Sequence, residues 1–341
     1  MAQVEFLAVP LLIAVALLAT VGGTWAFKLF AINRGIVANP NFRSLHQRPM
    51  PCGGGVVFSF VFSFSLIGLW LFTEIDANLM WAVVLGGLAT TLFGFADDVA
   101  QIGAKLKLAV QCGLAVWVLF CFGGQPLLKL SPTWPFIELA ISWLCLVWLM
   151  NLYNFMDGTD GMAASGAAFI CAAAIVVLFL TGSDKSLMLV FALLGVCSFG
   201  FLLFNWPPAS IFMGDSGSLF LGYCFGALII KTVTGGQISF WTWLVIFAYF
   251  AGDTTTTTVL RIFLIKRWYG AHRSNAYQNL ARIWGSHFKV VRAVSLYHLF
   301  WLFPLAVWSA LDPSFAPLAA TFAIAPVIFW TFRYGPRLSS S

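Results

Sequence analysis

Residues 138–150, ELAISWLCLVWLM, run directly into 151–163, NLYNFMDGTDGMA, and these into 164–180, ASGAAFICAAAIVVLFL. Two asparagines and two aspartates are thus packed between apolar runs, at the mouths of what read as two membrane helices. The rest of the chain supports that reading. It has 341 residues, of which 61% are hydrophobic and 9% charged, against roughly 25% charged in soluble domains. A span of a ~30 Å hydrocarbon layer takes about 20 apolar residues. Eleven segments qualify: 5–29, 54–72, 79–96, 106–122, 136–153, 162–181, 187–204, 217–232, 239–264, 289–310 and 314–331. The expected fold is an all-α polytopic membrane protein of about 11 transmembrane helices, a single domain over 1–341. The first segment lacks a basic leader and is too long for a cleavable signal, so it reads as a span.

Lysine and arginine set the orientation. With the N-terminus outside, the inner segments hold Lys28, Arg34, Arg43, Arg48, Lys105, Lys107, Arg261, Lys266, Arg267, Arg273, Arg282, Lys289, Arg292, Arg333 and Arg337. The outer segments hold Lys129, Lys185 and Lys231. Cytoplasmic loops carry such an excess, which puts the C-terminus in the cytoplasm. The net charge of +6 follows from this bias and calls for no nucleic acid. The expected cytoplasmic loops are 31–53, 97–105, 154–161, 205–216 and 265–288, and the work of the protein is expected there. Of the seven cysteines, all but Cys52 lie in apolar spans, with no CxxC. That argues against disulfides and structural zinc.

The acids are ordered. Glu5, Glu74, Asp76, Glu138, Asp184 and Asp312 fall towards the outside; Asp97, Asp98, Asp157, Asp160, Asp215 and Asp253 fall on the inner half. Every inner acid is an aspartate, whose short side chain fixes a carboxylate close to the backbone. Asp253 lies within a span, where a charge is a functional-site hypothesis by default. The nearby run Thr254–Thr258 suggests a bent or broken helix, since threonine hydroxyls can bond the preceding turn.

Five further features carry chemistry. Asp97 and Asp98 are adjacent, and their mutual repulsion calls for a cation or a shared proton. Asn151, Asn154 and Asp157 recur at i, i+3 and i+6, on one helical face, and the DGTDG turn places glycine after each aspartate, permitting close approach of a ligand. In FNWPPASIFMGDSGSLFLG, 204–222, Asp215 opens a helix whose N-terminal N–H groups suit a phosphate, and Asp215 can hold a divalent ion. Phe212 is a candidate either to stack on a base or to pack against lipid or core. The basic stretch 261–273 contains His272 and Arg273, the latter suited to bidentate phosphate recognition, and the earlier loop holds Arg43, His46 and Arg48. Carboxylates for a metal, bases for phosphates and an aromatic for a nucleobase fit an anionic soluble substrate meeting an anionic lipid.

The strings PNFRSLHQRPMPCGGG, GFADDV, NLYNFMDGTDGMA, FNWPPASIFMGDSGSLFLG and AHRSNAYQ, in this order along nearly the whole chain, resemble the polyprenyl-phosphate N-acetylhexosamine-1-phosphate transferases, glycosyltransferase-4-like membrane enzymes. The resemblance implies Mg²⁺, or Mn²⁺ in its place, and transfer of a sugar-1-phosphate from a UDP-N-acetylhexosamine to undecaprenyl phosphate with release of UMP. It implies catalytic roles for Asp97, Asp98 and Asp215, with Asp215 and Asp98 as metal ligands. It leaves open which of Asp97 and Asp98 is base and which ligand. It further implies substrate contacts from Asn154, Asp157, Asp160, Phe212, His272, Arg273, Lys107 and His46. The histidine run and TPTMGG string of the peptidoglycan branch are absent. AHRSNAYQ is most similar to the branch that starts O-antigen synthesis, with Asn275 where histidine is usual and Cys52 where a basic residue is common. That similarity implies a multi-pass protein of the bacterial inner membrane in lipopolysaccharide or related cell-envelope synthesis, its active site cytoplasmic. A homodimer and a monomer read alike. The rival reading is a cation- or proton-coupled transporter using the inner aspartates as an ion path; such a path wants charges near the midplane, where only Asp253 lies.

Overall fold

A computed structural model describes residues 2–38 (side chains from Ala8), 49–73, 75–128, 133–183, 185–264 and 274–336. His46, His272 and Arg273 fall outside these. The chain opens with α1 (Ala2–Arg34), a two-residue antiparallel ladder between β1 (Val37–Ala38) and β2 (Met50–Pro51), and α2 (Gly55–Phe72). There follow α3 (Ala77–Ala100), α4 (Ala104–Cys121), α5 (Pro135–Met156), α6 (Met162–Leu180), α7 (Lys185–Asn205) and α8 (Asp215–Thr234). The remainder is α9 (Phe240–Ile246), α10 (Ala248–Leu264), α11 (Ala276–Trp284), α12 (His287–Tyr297), a π turn at His298–Leu302, α13 (Phe303–Leu311) and α14 (Ala316–Tyr334). The protein is an all-α polytopic membrane protein.

Ten helices among the described residues are long and apolar enough to cross a membrane, α12, the π turn and α13 counting as one. The segment 239–264, expected as an eleventh, is two helices. Its continuous apolar run hides a break at Phe247, which leaves helical geometry with ψ near 1° and lays its ring edge-on to Phe225 at 5.6 Å. The break is upstream of the threonines, and α10 runs through them without interruption. Thr257 donates to Asp253, and Thr255 accepts from Trp148 Nε1, so these hydroxyls have side-chain partners. The expected loop 265–288 contains α11, which is buried throughout Ala276–Ala281. All seven cysteines are free.

The bundle is organised around α8, whose span is 83% buried against 17% for α1. With lipid outside, helices gain no hydrophobic drive from packing together, and small residues let backbones approach. Gly222 lies against the backbone of Leu149 and Met150 in α5. Gly87 faces Phe220, and Gly94 lies against the backbone of Asp215 and Ser216. Those contacts pack α3 and α5 against α8, and they bring the polar ends of all three helices together.

Candidate functional site

Gly94 sets the site. Because it lets α3 touch the start of α8, Asp98, one turn further on, reaches the α8 N-terminus. Its Oδ1 accepts from the Asp215 N–H at 2.7 Å and its Oδ2 from the Ser216 N–H at 3.2 Å. The residue before α8, Gly214, has φ 76° and no side chain to cap with; a Cβ there would run into the Asp98 carboxylate. A carboxylate supplied by another helix therefore caps α8, satisfying its unpaired N–H groups and complementing the helix dipole.

Asp97 points elsewhere, as neighbours on a helix must. Its Oδ1 accepts from Ile102 N–H at 2.7 Å, closing the tight α3–α4 turn, where Gln101 is left-handed with φ 52°. The expected loop 97–105 is thereby only residues 101–103. This turn brings Lys107 back over the acids. Its ammonium pairs with Asp97 and lies 2.9 Å from Asp215 Oδ2. From α5, Asn154 donates to Asp215 Oδ1 at 2.8 Å and to Ser218 Oγ at 3.0 Å. Asn151 instead donates to Gln111 Oε1 at 2.7 Å, tying α5 to α4. Asp97, Asp98, Lys107, Asn154 and Asp215 thus form one cluster.

Asp157 follows the end of α5. Burial first, then the charges of Asp215, Asp98 and Asp160, push its carboxyl well above the ordinary value. The same fields act on Cys52, whose thiol is pushed up by burial first and then by Asp98 and Asp157. A neutral thiol thus borders the acids where the resemblance leads one to look for a basic residue.

Asp160 is engaged differently. It accepts from Ala209 N–H at 3.0 Å, and His287 Nδ1 lies 3.1 Å away. Burial alone would raise its carboxyl; His287 and the Ala209 N–H outweigh that and hold it below the ordinary value. Beside it, Gly161 N–H donates to Asn205 Oδ1, and Asn205 donates on to Ile211 O, both at 2.9 Å. The DGTDG turn and the 205–214 loop are therefore laced together. Phe212 is half-buried and held through its backbone. Its N–H donates to Pro51 O at 2.8 Å and its carbonyl accepts from Gly54 N–H at 3.0 Å, so the loop runs beside the short hairpin, three residues ahead of Asp215.

Asn205, His287 and Tyr277 complete the surroundings of the site but were not singled out for roles there in the sequence. The first closes an apolar span, the second follows Ser286, a helix N-cap, and the third lies inside the AHRSNAYQ string. Those were the available signals, and none points to its partner. As placed, no three of His, Cys, Asp and Glu among the described residues gather closely enough to chelate an ion by themselves. The donor set nonetheless suits Mg²⁺, which takes oxygen ligands and typically only one or two carboxylates beside substrate phosphates. The cluster offers carboxylate and amide oxygens, and its acids already share a cation in the Lys107 ammonium.

Fold and site define a multi-pass helical membrane protein with a carboxylate–lysine centre built on a helix N-terminus. Residues 80–233 match the family described as "Glycosyl transferase family 4", a stretch that includes the whole cluster. The chain is 34% identical over 219 residues to a "Probable undecaprenyl-phosphate N-acetylglucosaminyl 1-phosphate transferase" of Bacillus subtilis (strain 168), covering 61% of this chain and 59% of that one. It is 32% identical over 222 residues to a "Phospho-N-acetylmuramoyl-pentapeptide-transferase" of Phenylobacterium zucineum (strain HLK1), covering 53% and 59%. Over these stretches the chain is similar to the glycosyl transferase family 4 model and to both transferases. It spans about 59% of the length of these curated relatives.

Proposed function

We propose that this chain transfers an N-acetylhexosamine-1-phosphate from a UDP-sugar to undecaprenyl phosphate at the cytoplasmic face of a bacterial inner membrane, starting an O-antigen or related cell-envelope glycan. The observation that carries the reading is the cluster of Asp97, Asp98, Lys107 and Asp215 at the α8 N-terminus, inside the segment shared with the family. The relatives support a transferase and give no support to a transporter.

In this reading an oxygen of the lipid phosphate attacks the sugar-bearing phosphorus of the UDP-sugar. The bond from that phosphorus to the bridging oxygen breaks, and UMP leaves with the bridging oxygen. Phosphoryl transfer is mainly positioning and electrostatic stabilisation. Mg²⁺, held by Asp215 and Asp98 when bound, would supply positive charge for the diphosphate. Lys107 supplies a second positive charge and keeps Asp97 and Asp215 from repelling one another. Asn154 orients the Asp215 carboxylate. Phe212, His272, Arg273 and His46 are the proposed contacts for base and phosphates, and Asp160 organises the loop that carries Phe212.

The test is to incubate the purified protein with Mg²⁺, undecaprenyl phosphate and UDP-N-acetylhexosamines labelled in the sugar. The expected products are a lipid-linked sugar and UMP in equal amounts. Release of UDP in place of UMP would mean transfer of the sugar without its phosphate and would overturn the reading, as would the absence of any lipid-linked product.

A further inference from the structure

Asp253, the one inner acid set well within the bundle, takes no part in the carboxylate cluster. It is 1% exposed. Its Oδ1 accepts from the Ala276 N–H at 2.9 Å and its Oδ2 from the Tyr277 N–H at 3.2 Å. Thr257 and Thr331 hydroxyls donate to the same carboxylate at 3.2 and 3.4 Å. Asn275, the residue preceding α11, makes no capping bond of its own. Asp253 is therefore the cap of α11, reaching it from α10. A buried carboxylate with four donors is satisfied where it stands, as buried polar groups must be.

Tyr277, the second residue of α11, is fully buried. Its hydroxyl donates to Phe155 O at 2.7 Å and accepts from the Gly158 N–H at 2.9 Å. Those two groups flank Asp157, one at the end of α5 and one opening the DGTDG turn. A Cβ on Gly158 would strike the Tyr277 hydroxyl and the Gln278 amide, so glycine is what admits the contact. One oxygen atom thus pins the backbone on both sides of Asp157.

We propose that Asp253 and Tyr277 are positioning residues that act in series: the Asp253 carboxylate fixes the start of α11, and α11 delivers the Tyr277 hydroxyl that fixes the backbone around Asp157. Only the kinetic part of this inference rests on the transferase reading. The mechanical part concerns the coupling of α11 to the DGTDG turn and holds whatever reaction the site performs.

The experiment is hydrogen exchange, read by mass spectrometry on the intact protein in lipid nanodiscs. Tyr277→Phe keeps the ring and removes one oxygen. It is expected to speed exchange in residues 154–161 by about tenfold, the scale of one lost buried hydrogen bond, while leaving 276–284 near wild type. Asp253→Asn is expected to speed exchange in both segments. If Asp253→Asn does not fold, Tyr277→Phe decides the matter alone. In turnover, Tyr277→Phe should lower kcat roughly tenfold or more, as misplacement of a reacting geometry does, with the donor KM little changed. Unaltered exchange at 154–161 in Tyr277→Phe, or an Asp253→Asn effect confined to 276–284, overturns the series. Should the wild type transfer no sugar-1-phosphate, the functional reading falls and the exchange data still decide the coupling.

Discussion

Lys107 and Asp215 meet across the join of α4 and α8, ammonium to carboxylate at 2.9 Å, while the same ammonium pairs with Asp97. One cation thus serves two acids in a partly buried site. Lys107→Met leaves both acids beside a third, Asp98, without the positive charge they share. Turnover is expected to fall by roughly a hundredfold or more, the scale of losing one electrostatic contact in a preorganised site. Lys107→Arg should keep part of the rate. Added to Asp97→Asn, the Lys107→Met loss should be far from additive, since the two groups are in contact. UMP release measures all three, and a wild-type rate in Lys107→Met would remove the lysine from the mechanism.

Asp157 is expected to show a cost of function. Its carboxyl titrates above the ordinary 3.8 because burial and neighbouring acids disfavour its charge. The folded protein holds that proton more tightly than the unfolded chain. Its stabilising share is present below pH 3.8 and lost as the pH rises through the raised folded value. At neutral pH without divalent metal, Asp157→Asn should therefore melt higher, by roughly 2–4 °C for each kcal/mol relieved. It should also turn over more slowly. A lower melting temperature at pH 7 would contradict the electrostatic account.

The opposite sign applies to Asp160. His287 and the Ala209 N–H hold its carboxyl below the ordinary 3.8. The stability it contributes is fully present above pH 3.8 and is lost as the pH falls from there through the lower folded value. Melting temperature measured from pH 6 down to pH 3 should drop less steeply in Asp160→Asn than in the wild type, starting from a lower plateau. Equal slopes would mean that the Asp160 carboxyl does not titrate with folding.

These two aspartates also mark where sequence ceases to speak. DGTDG is symmetric as a string, and its acids look equivalent. Their difference comes from His287 and Ala209, which lie 127 and 49 residues further along the chain. The spans were legible because lipid demands long apolar runs wherever the chain crosses. The break at Phe247 was not, because it falls inside such a run and depends on packing with Phe225. The acids of the cluster were legible as residue types at helix ends. That Asp98 caps α8 across 117 residues was not, because capping motifs are read locally. Asp253 invited an ion path for the same reason: its donors at 276, 277 and 331 are invisible from its neighbours.

Phe212 sits between two anchors, its backbone paired to Pro51 and Gly54 and its loop tied to Asp160 through Ala209. Phe212→Ala removes the ring and leaves these backbone bonds. If the ring stacks on the base, the donor KM should rise about tenfold or more, since stacking is worth roughly 1–3 kcal/mol. The KM for the lipid acceptor should hold. Loss of lipid affinity with donor affinity intact would turn the ring towards the membrane.

Asp97→Asn and Asp98→Asn should separate cleanly. Asp98 uses both oxygens to cap α8, and an amide offers only one acceptor to two N–H groups. Asp98→Asn should lower stability by about 1 kcal/mol, the usual worth of a cap, and should lose turnover at every pH because the α8 N-terminus and Asp215 move with it. Asp97 uses one oxygen on the Ile102 N–H, which an asparagine carbonyl can still serve, and the other on Lys107. Asp97→Asn should keep near-native stability and leave Lys107 paired with Asp215 alone. If Asp97 also takes a proton from the lipid phosphate, whose second pKa lies near 6 by analogy with phosphorylated side chains, the remaining rate of Asp97→Asn should climb with pH as the acceptor ionises unaided. Melting curves and pH–rate profiles at saturating Mg²⁺ measure both. Equal melting temperatures with superimposable profiles would show the two carboxylates working as one unit, against the separate partners that each holds.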